Sequence, residues 1–261
     1  MDDPDLKRPS AGRIYDYLLG GSAAFAADRR LAEELMTVAG DCPGLRELAR
    51  ENRRFILEAT GWLASFKGIA QFLDLGAGLR GHGEAVHDAA RRAIPAARVA
   101  YADRDPVVLW HLRGAVKREG PGLAAIGTDI RSVGAVLRDK ALRGVIDLAE
   151  PAGVILGGTL SSMTAGEARE TVAGYMTALP AGSAAVISCA SWRDAVLGGK
   201  MAAMFAGAGE WHDHGAAEIA SFFAAGGLRL VHGRVGDVGS WPLFTPPGRA
   251  VAMLGGVGLK D

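Results

Sequence analysis

The sequence predicts an α/β fold built on a doubly wound, mostly parallel sheet, and three observations carry that prediction. From Ile69 onward, short apolar runs alternate with helix-length segments, the trace left by parallel strands joined through crossover helices. Three successive runs close on an acid, namely Asp74, Asp103 and Asp129. A later run, Ala184-Ala185-Val186-Ile187-Ser188, is continuously apolar, as a strand covered on both faces requires.

Composition narrows the field. The 261 residues, 49% hydrophobic and 22% charged, suit one large domain with an appended segment. Lys+Arg and Asp+Glu both number 29, so no global field favours nucleic acid or an anionic membrane. Cys42 and Cys189 stand far apart without metal-ligand spacing; they read as reduced thiols, and no metal is expected. No apolar stretch reaches membrane-spanning length. The acidic start Met1-Asp2-Asp3-Pro4-Asp5 lacks a signal peptide's basic start and apolar centre, and a cytoplasmic location is the expectation.

Residues 1–67 read as an N-terminal helical cap and residues 68–261 as the sheet domain. Ser10 is placed to cap a helix from Ala11 towards Leu19, which the pair Gly20-Gly21 ends. It is either a core-facing helix or a lid that turns Arg13 and one tyrosine into a pocket. A second helix is expected over Ala26–Val38. A third, strongly amphipathic one carries Leu45, Leu48, Phe55, Ile56, Ala59 and Leu63 at helical spacing. Asn52 falls on that apolar stripe and needs a hydrogen-bond partner there.

Strand one runs Ala70–Leu75, followed by a glycine turn and a helix near Glu84–Ala93. Strand two covers Arg98–Ala102; then Asp105-Pro106 supplies an N-cap and a first-turn proline for the next helix. Strand three is Leu123–Ile126 and strand four Gly153–Leu156. Thr164-Ala165-Gly166-Glu167 is a capping box. The stretch Ser191–His214 reads as irregular, aromatic and Met-rich, a candidate substrate wall. A helix over Ala216–Ala225 leads to Leu228–Val235 and Ala250–Leu254, an antiparallel C-terminal strand pair at the sheet edge.

The turn Gly76-Ala77-Gly78-Leu79-Arg80-Gly81 is what a nucleotide-type cofactor site needs at the carboxyl end of a parallel strand, with bare amides for a ligand to lie against. It matches the dinucleotide fingerprint, and Asp103 follows Gly81 by about 20 residues. Asp74 weighs against a dinucleotide. Its carboxylate repels a pyrophosphate and attracts an ammonium group. S-adenosylmethionine carries an ammonium and a sulfonium and no phosphate, so it is favoured over NAD. Asp103 is placed to accept from two ribose hydroxyls. Asp129 is placed to accept from an adenine amino group, with Ile130 packing on the ring.

With these residues assembled, the chain resembles a family of bacterial S-adenosylmethionine-dependent methyltransferases of class I, Rossmann-like architecture. The resemblance rests on Pro9-Ser10-Ala11-Gly12-Arg13-Ile14-Tyr15-Asp16-Tyr17-Leu18-Leu19-Gly20-Gly21, on Arg50-Glu51-Asn52-Arg53, on Gln71–Leu79, on Asp103–Leu109 and on Gly255-Gly256-Val257-Gly258. It implies S-adenosyl-L-methionine as cofactor. The ligands it implies are Asp74, Gly76 and Gly78, with Asp103 on the ribose and Asp129 near the adenine; the expected cofactor-binding set adds Arg13, Tyr17, Ala77, Arg104 and Ile130. The chain departs from the family pattern at Ser22-Ala23-Ala24, at Arg80-Gly81, and at Ser161 and Cys189, where histidines are usual.

Two functions follow as alternatives: methyl transfer to a small-molecule O- or N-nucleophile, mainly by proximity and orientation, or cofactor binding without transfer. The departures motivate the second. If a base acts, His82 in the cofactor loop is the candidate, followed by His212 and His214. His87 and His111 read as helix-surface residues.

Overall fold

The structure, a computed structural model, describes residues 7–39, 44–79, 83–192, 194–243 and 251–261. Five strands run parallel: β1 (Gln71–Leu75), β2 (Arg98–Asp103), β3 (Leu123–Gly127), β4 (Gly153–Gly157) and β5 (Ala184–Trp192). Three more join antiparallel through the last of them: β6 (Leu228–Leu230), β7 (Gly236–Asp237) and β8 (Val251–Lys260). The order is β3-β2-β1-β4-β5-β8-β6, with β7 also on β8. Chain order reverses between β1 and β4, and a crevice opens at that switch point beyond the strands' carboxyl ends.

Side chains alternate between the two faces, as the period-2 geometry of strands demands. Phe72, Val99, Ile155 and Val186 point into one core, while Leu73, Ala100, Val154 and Ala185 point into the other. The first core is shared with α1 (Ala11–Leu18), α2 (Ala26–Ala39) and α3 (Leu45–Lys67), so the helices before the sheet pack directly on it. The second core is covered by α8 (Ala165–Thr177) and α10 (Ala216–Ala225), through buried Tyr175, Phe222 and Phe223. The expected fold class is the one observed.

Local chemistry explains most of the boundaries. Thr164 and Glu167 form the capping box of α8. Asp105 caps α5 (Pro106–Glu119) by accepting from the Val107 amide at 2.8 Å. Ser10 sits at the N-cap of α1 in extended backbone, but its hydroxyl makes no cap bond; it donates to Asp105 instead.

Elsewhere the structure departs from expectation. The helix α4 (Val86–Arg91) is shorter than Glu84–Ala93. Two short helices, α6 (Val133–Arg138) and α7 (Lys140–Arg143), occupy a stretch whose apolar pattern is too brief to announce them. The stretch expected to be irregular after Ser191 contains α9 (Ala195–Phe205), capped by Asp194, which accepts from the Val196 and Leu197 amides. The paired glycines Gly198 and Gly199 hide it in the sequence. β8 runs five residues beyond the expected Leu254 region, to Leu259 in its pairing with β5.

Candidate cofactor and acceptor site

A cavity of about 620 Å³ opens at the carboxyl ends of β1 to β4, within the size range of small-molecule sites. Its floor is the turn after β1. Gly76 and Gly78 adopt left-handed backbone, with φ of 70° and 57°. A Cβ on Gly76 would lie 2.4 Å from the Thr159 methyl, so the residue is fixed both by conformation and by space. The expectation of bare amides does not hold. The Gly76 and Ala77 amides donate to the Ala102 carbonyl at 2.8 and 3.1 Å, and the Gly78 amide donates to Asp103 Oδ2 at 2.9 Å. With their donors consumed inside the protein, Gly76, Ala77 and Gly78 form no amide nest of the kind a pyrophosphate requires.

Asp74 gives the floor its sign. Its carboxylate is buried and accepts no hydrogen bond among the described residues. Burial pushes its pKa up to about 6, Arg53 works against that shift, and Asp103 adds to it. An unpartnered buried carboxylate is a costly arrangement unless a cationic ligand completes it. Arg53 is a residue that the sequence reading matched to the family without giving it a role. It lines the same floor, donates to the Glu84 carbonyl from one terminal nitrogen, and keeps a buried Nε without a partner. The two opposite charges share the floor without an ion pair between them.

The other acids differ sharply from one another. Asp103 accepts from the Gly78 and Asp105 amides, and burial raises its pKa against the pull of those bonds. Each of its oxygens keeps capacity for a further donor. Asp129 is held by the Arg131 side chain and amide and by Arg104, the latter at 3.1 Å. Arg131 in the first place holds its pKa down at about 2. Ile130 and Arg104 line the cavity beside it.

The N-terminal block forms the roof and its ties. Arg13 is buried: Nε donates to Asp28 at 2.9 Å, one terminal nitrogen to Asp105 at 3.2 Å and the other to the Arg8 carbonyl at 2.6 Å. It lines the cavity while clamping α1 to α2 and to the loop after β2. Tyr15 is the tyrosine of the cavity wall. Its hydroxyl donates to the Ala49 carbonyl and accepts from Asn52, both at 3.0 Å, and burial pushes its pKa to about 12. Tyr17 does not line the cavity. It turns to Glu33, with the Arg46 guanidinium 4.7 Å above its ring. One helical step of about 100° separates consecutive side chains, and it is the step to Tyr15, two residues back, that reaches the pocket. The end of the block is steric, since a Cβ on Gly21 would strike the Asp16 carboxylate.

The histidines are placed differently from expectation. His82 lies outside the described residues, as do Arg80 and Gly81. No histidine lines the cavity among the described residues. His214 is buried against Glu218 and the Leu160 and Met163 carbonyls, and so anchors the chain. His212 is half-buried, 3.8 Å from Glu210. His87, expected on a surface, is buried with Nδ1 2.7 Å from the Tyr101 hydroxyl, whereas His111 is exposed. Among the described residues no cluster could hold a metal, and no helix is long and apolar enough to cross a membrane.

Sheet order, crevice position and the acids at the strand ends define a class I, Rossmann-like methyltransferase. The particular family follows from comparison: the S-adenosyl methyltransferase model matches residues 2–261, and the chain belongs to that family. A candidate methyltransferase from Thermobifida fusca YX is 32% identical, covering 98% of this chain and 97% of its own, with a TM-score of 0.87. A duf574 family protein from Streptomyces avermitilis MA-4680 is 28% identical over 98% of this chain and 99% of its own, also at 0.87. Human N-acetylserotonin methyltransferase, solved with its cofactor, is 14% identical over 98% of this chain and 63% of its own. At a TM-score of 0.51 it shares the fold alone. No curated protein matches the chain. The protein is thus an S-adenosyl-L-methionine-dependent methyltransferase.

Proposed function

We propose that the protein transfers a methyl group to a small-molecule O- or N-nucleophile held in the inner part of this cavity. One observation carries the placement of the cofactor: a buried Asp74, without a hydrogen bond among the described residues, beside the Gly76, Ala77 and Gly78 amides, which are spent inside the protein. That floor suits a cationic ligand and not a phosphate. In this reading Asp74 meets the ammonium and Arg53 the carboxylate of the amino-acid end, while Asp103 takes the ribose. Arg104, Asp129 and Ile130 border the adenine, Gly76, Ala77 and Gly78 let it approach, and Arg13 closes the roof. Tyr17 has a share only through its tie to Glu33.

When bound, the cofactor supplies an electrophilic methyl on a sulfonium. What the chain contributes is orientation and exclusion of water. Residues 1–67 are assigned as the cap that closes the cavity, and proximity supplies much of the acceleration. If a base acts, His82 is the proposed one; it lies outside the described residues, and no histidine lines the cavity among those described.

The test is a mass-resolved methylation assay on a metabolite extract, run beside cofactor titration. New methylated species that depend on the protein support the reading. Tight cofactor binding with no methylated product in any extract favours the non-transferring alternative.

A further inference from the structure

Beyond the polar floor, the cavity changes character. Trp192 at the end of β5, Met201 and Phe205 of α9, Trp211, Met253 of β8 and Ile56 of α3 line it. Phe205 and Trp211 stack face to face, with centroids 4.3 Å apart and planes 13° apart, so the pair can offer a ligand the outer face of one ring. The charged residues of the lining sit at the cofactor end, apart from Glu210, which is 67% exposed. No lysine or histidine belongs to the lining among the described residues.

We infer that the methyl acceptor is a flat, hydroxylated aromatic molecule that reacts through a phenolic oxygen. The inference rests on the methyl-transfer reading above and names its substrate class. Shape supports it, because a planar ligand can extend the Phe205–Trp211 stack by one ring.

Electrostatics separates oxygen from nitrogen. The phenol's proton passes to bulk water as the acceptor binds, before the cavity closes, and in the transfer an O–C bond forms. The S–C bond breaks with its electron pair kept by sulfur, so an oxyanion and a sulfonium become an ether and a thioether, both neutral. An apolar wall favours a step that removes charge. An amine would instead leave a cation there, and this part of the lining has no buried carboxylate to hold one.

The experiment uses the full chain loaded with S-adenosylhomocysteine and matched probes, 2-naphthol and 2-naphthylmethylamine. Binding is read by tryptophan fluorescence and calorimetry, and transfer by mass spectrometry with S-adenosylmethionine. The expected result is quenching by 2-naphthol at least about tenfold tighter than by the amine, with 2-methoxynaphthalene as product. Trp211→Leu keeps an apolar side chain and loses the ring; it should weaken naphthol several-fold and leave S-adenosylhomocysteine affinity unchanged. Equal or tighter binding of the amine, or no naphthol binding by protein that binds S-adenosylhomocysteine, overturns the inference. Failure to bind S-adenosylhomocysteine overturns the underlying reading instead.

Discussion

Ser188 Oγ donates to Asn52 Oδ1 across 2.6 Å and so joins the third helix to the fifth strand, 136 residues apart in the chain. The contact continues both ways: Asn52 Nδ2 donates to the Tyr15 hydroxyl, and Ser188 Oγ accepts from the Gly158 amide at 3.1 Å. One buried polar chain thus runs from the roof through α3 and β5 to the turn after β4, and every link in it has a partner.

Breaking that chain leaves polar groups stranded. Ser188→Ala removes the donor for Asn52 Oδ1, and about 1–3 kcal/mol of stability should be lost. Urea unfolding of the variant against the parent protein checks this. A change within experimental error would mean that the cavity wall is held by apolar packing alone.

Much of this architecture was legible beforehand, for reasons that can be named. The capping box at Thr164 and Glu167 and the Asp105-Pro106 start act within a few residues, so local sequence suffices. Asn52 stood out as a polar residue on an apolar stripe, and its partners Tyr15 and Ser188 confirm a structural network. What local sequence cannot convey is direction. Tyr15 and Tyr17 differ only by rotation about α1, and the packing of α2 and α3 decides which one reaches the pocket. Arg53 gains meaning only once folding brings it to the floor that Asp74 occupies. The turn's spent amides depend on the Ala102 carbonyl of a neighbouring strand.

Arg13 should be a structural necessity. Replacing it with Ala leaves the fully buried Asp28 with the Ser10 and Phe25 amides but no opposite charge, and removing one partner of a buried pair costs about 3–5 kcal/mol. Arg13→Lys should rescue little, because one ammonium cannot reach three separated acceptors with a planar fork. Melting curves of both variants test this, and full rescue by Lys would count against the clamp.

Asp74 makes a prediction about pH. Burial raises its pKa from 3.8 to about 6 in the folded protein. Between those values the folded state binds a proton that the unfolded chain gives up. The stability it contributes is therefore complete below about pH 4 and is lost as pH rises through about 6. Asp74→Asn should accordingly stabilise the cofactor-free protein at pH 8, by up to about 3 kcal/mol, and change little near pH 4. Urea titrations at the two pH values read the difference. Destabilisation at pH 8 would mean that the carboxylate is satisfied in the native state.

The central claim is that a lone buried carboxylate selects the cofactor, and calorimetric titration at pH 8 tests it most directly. S-adenosylmethionine should bind the parent protein and bind Asp74→Asn at least about tenfold more weakly, a difference of about 1.4 kcal/mol, while NAD gives no heat with either. Equal affinity in the two proteins, or binding of NAD in place of S-adenosylmethionine, would contradict it.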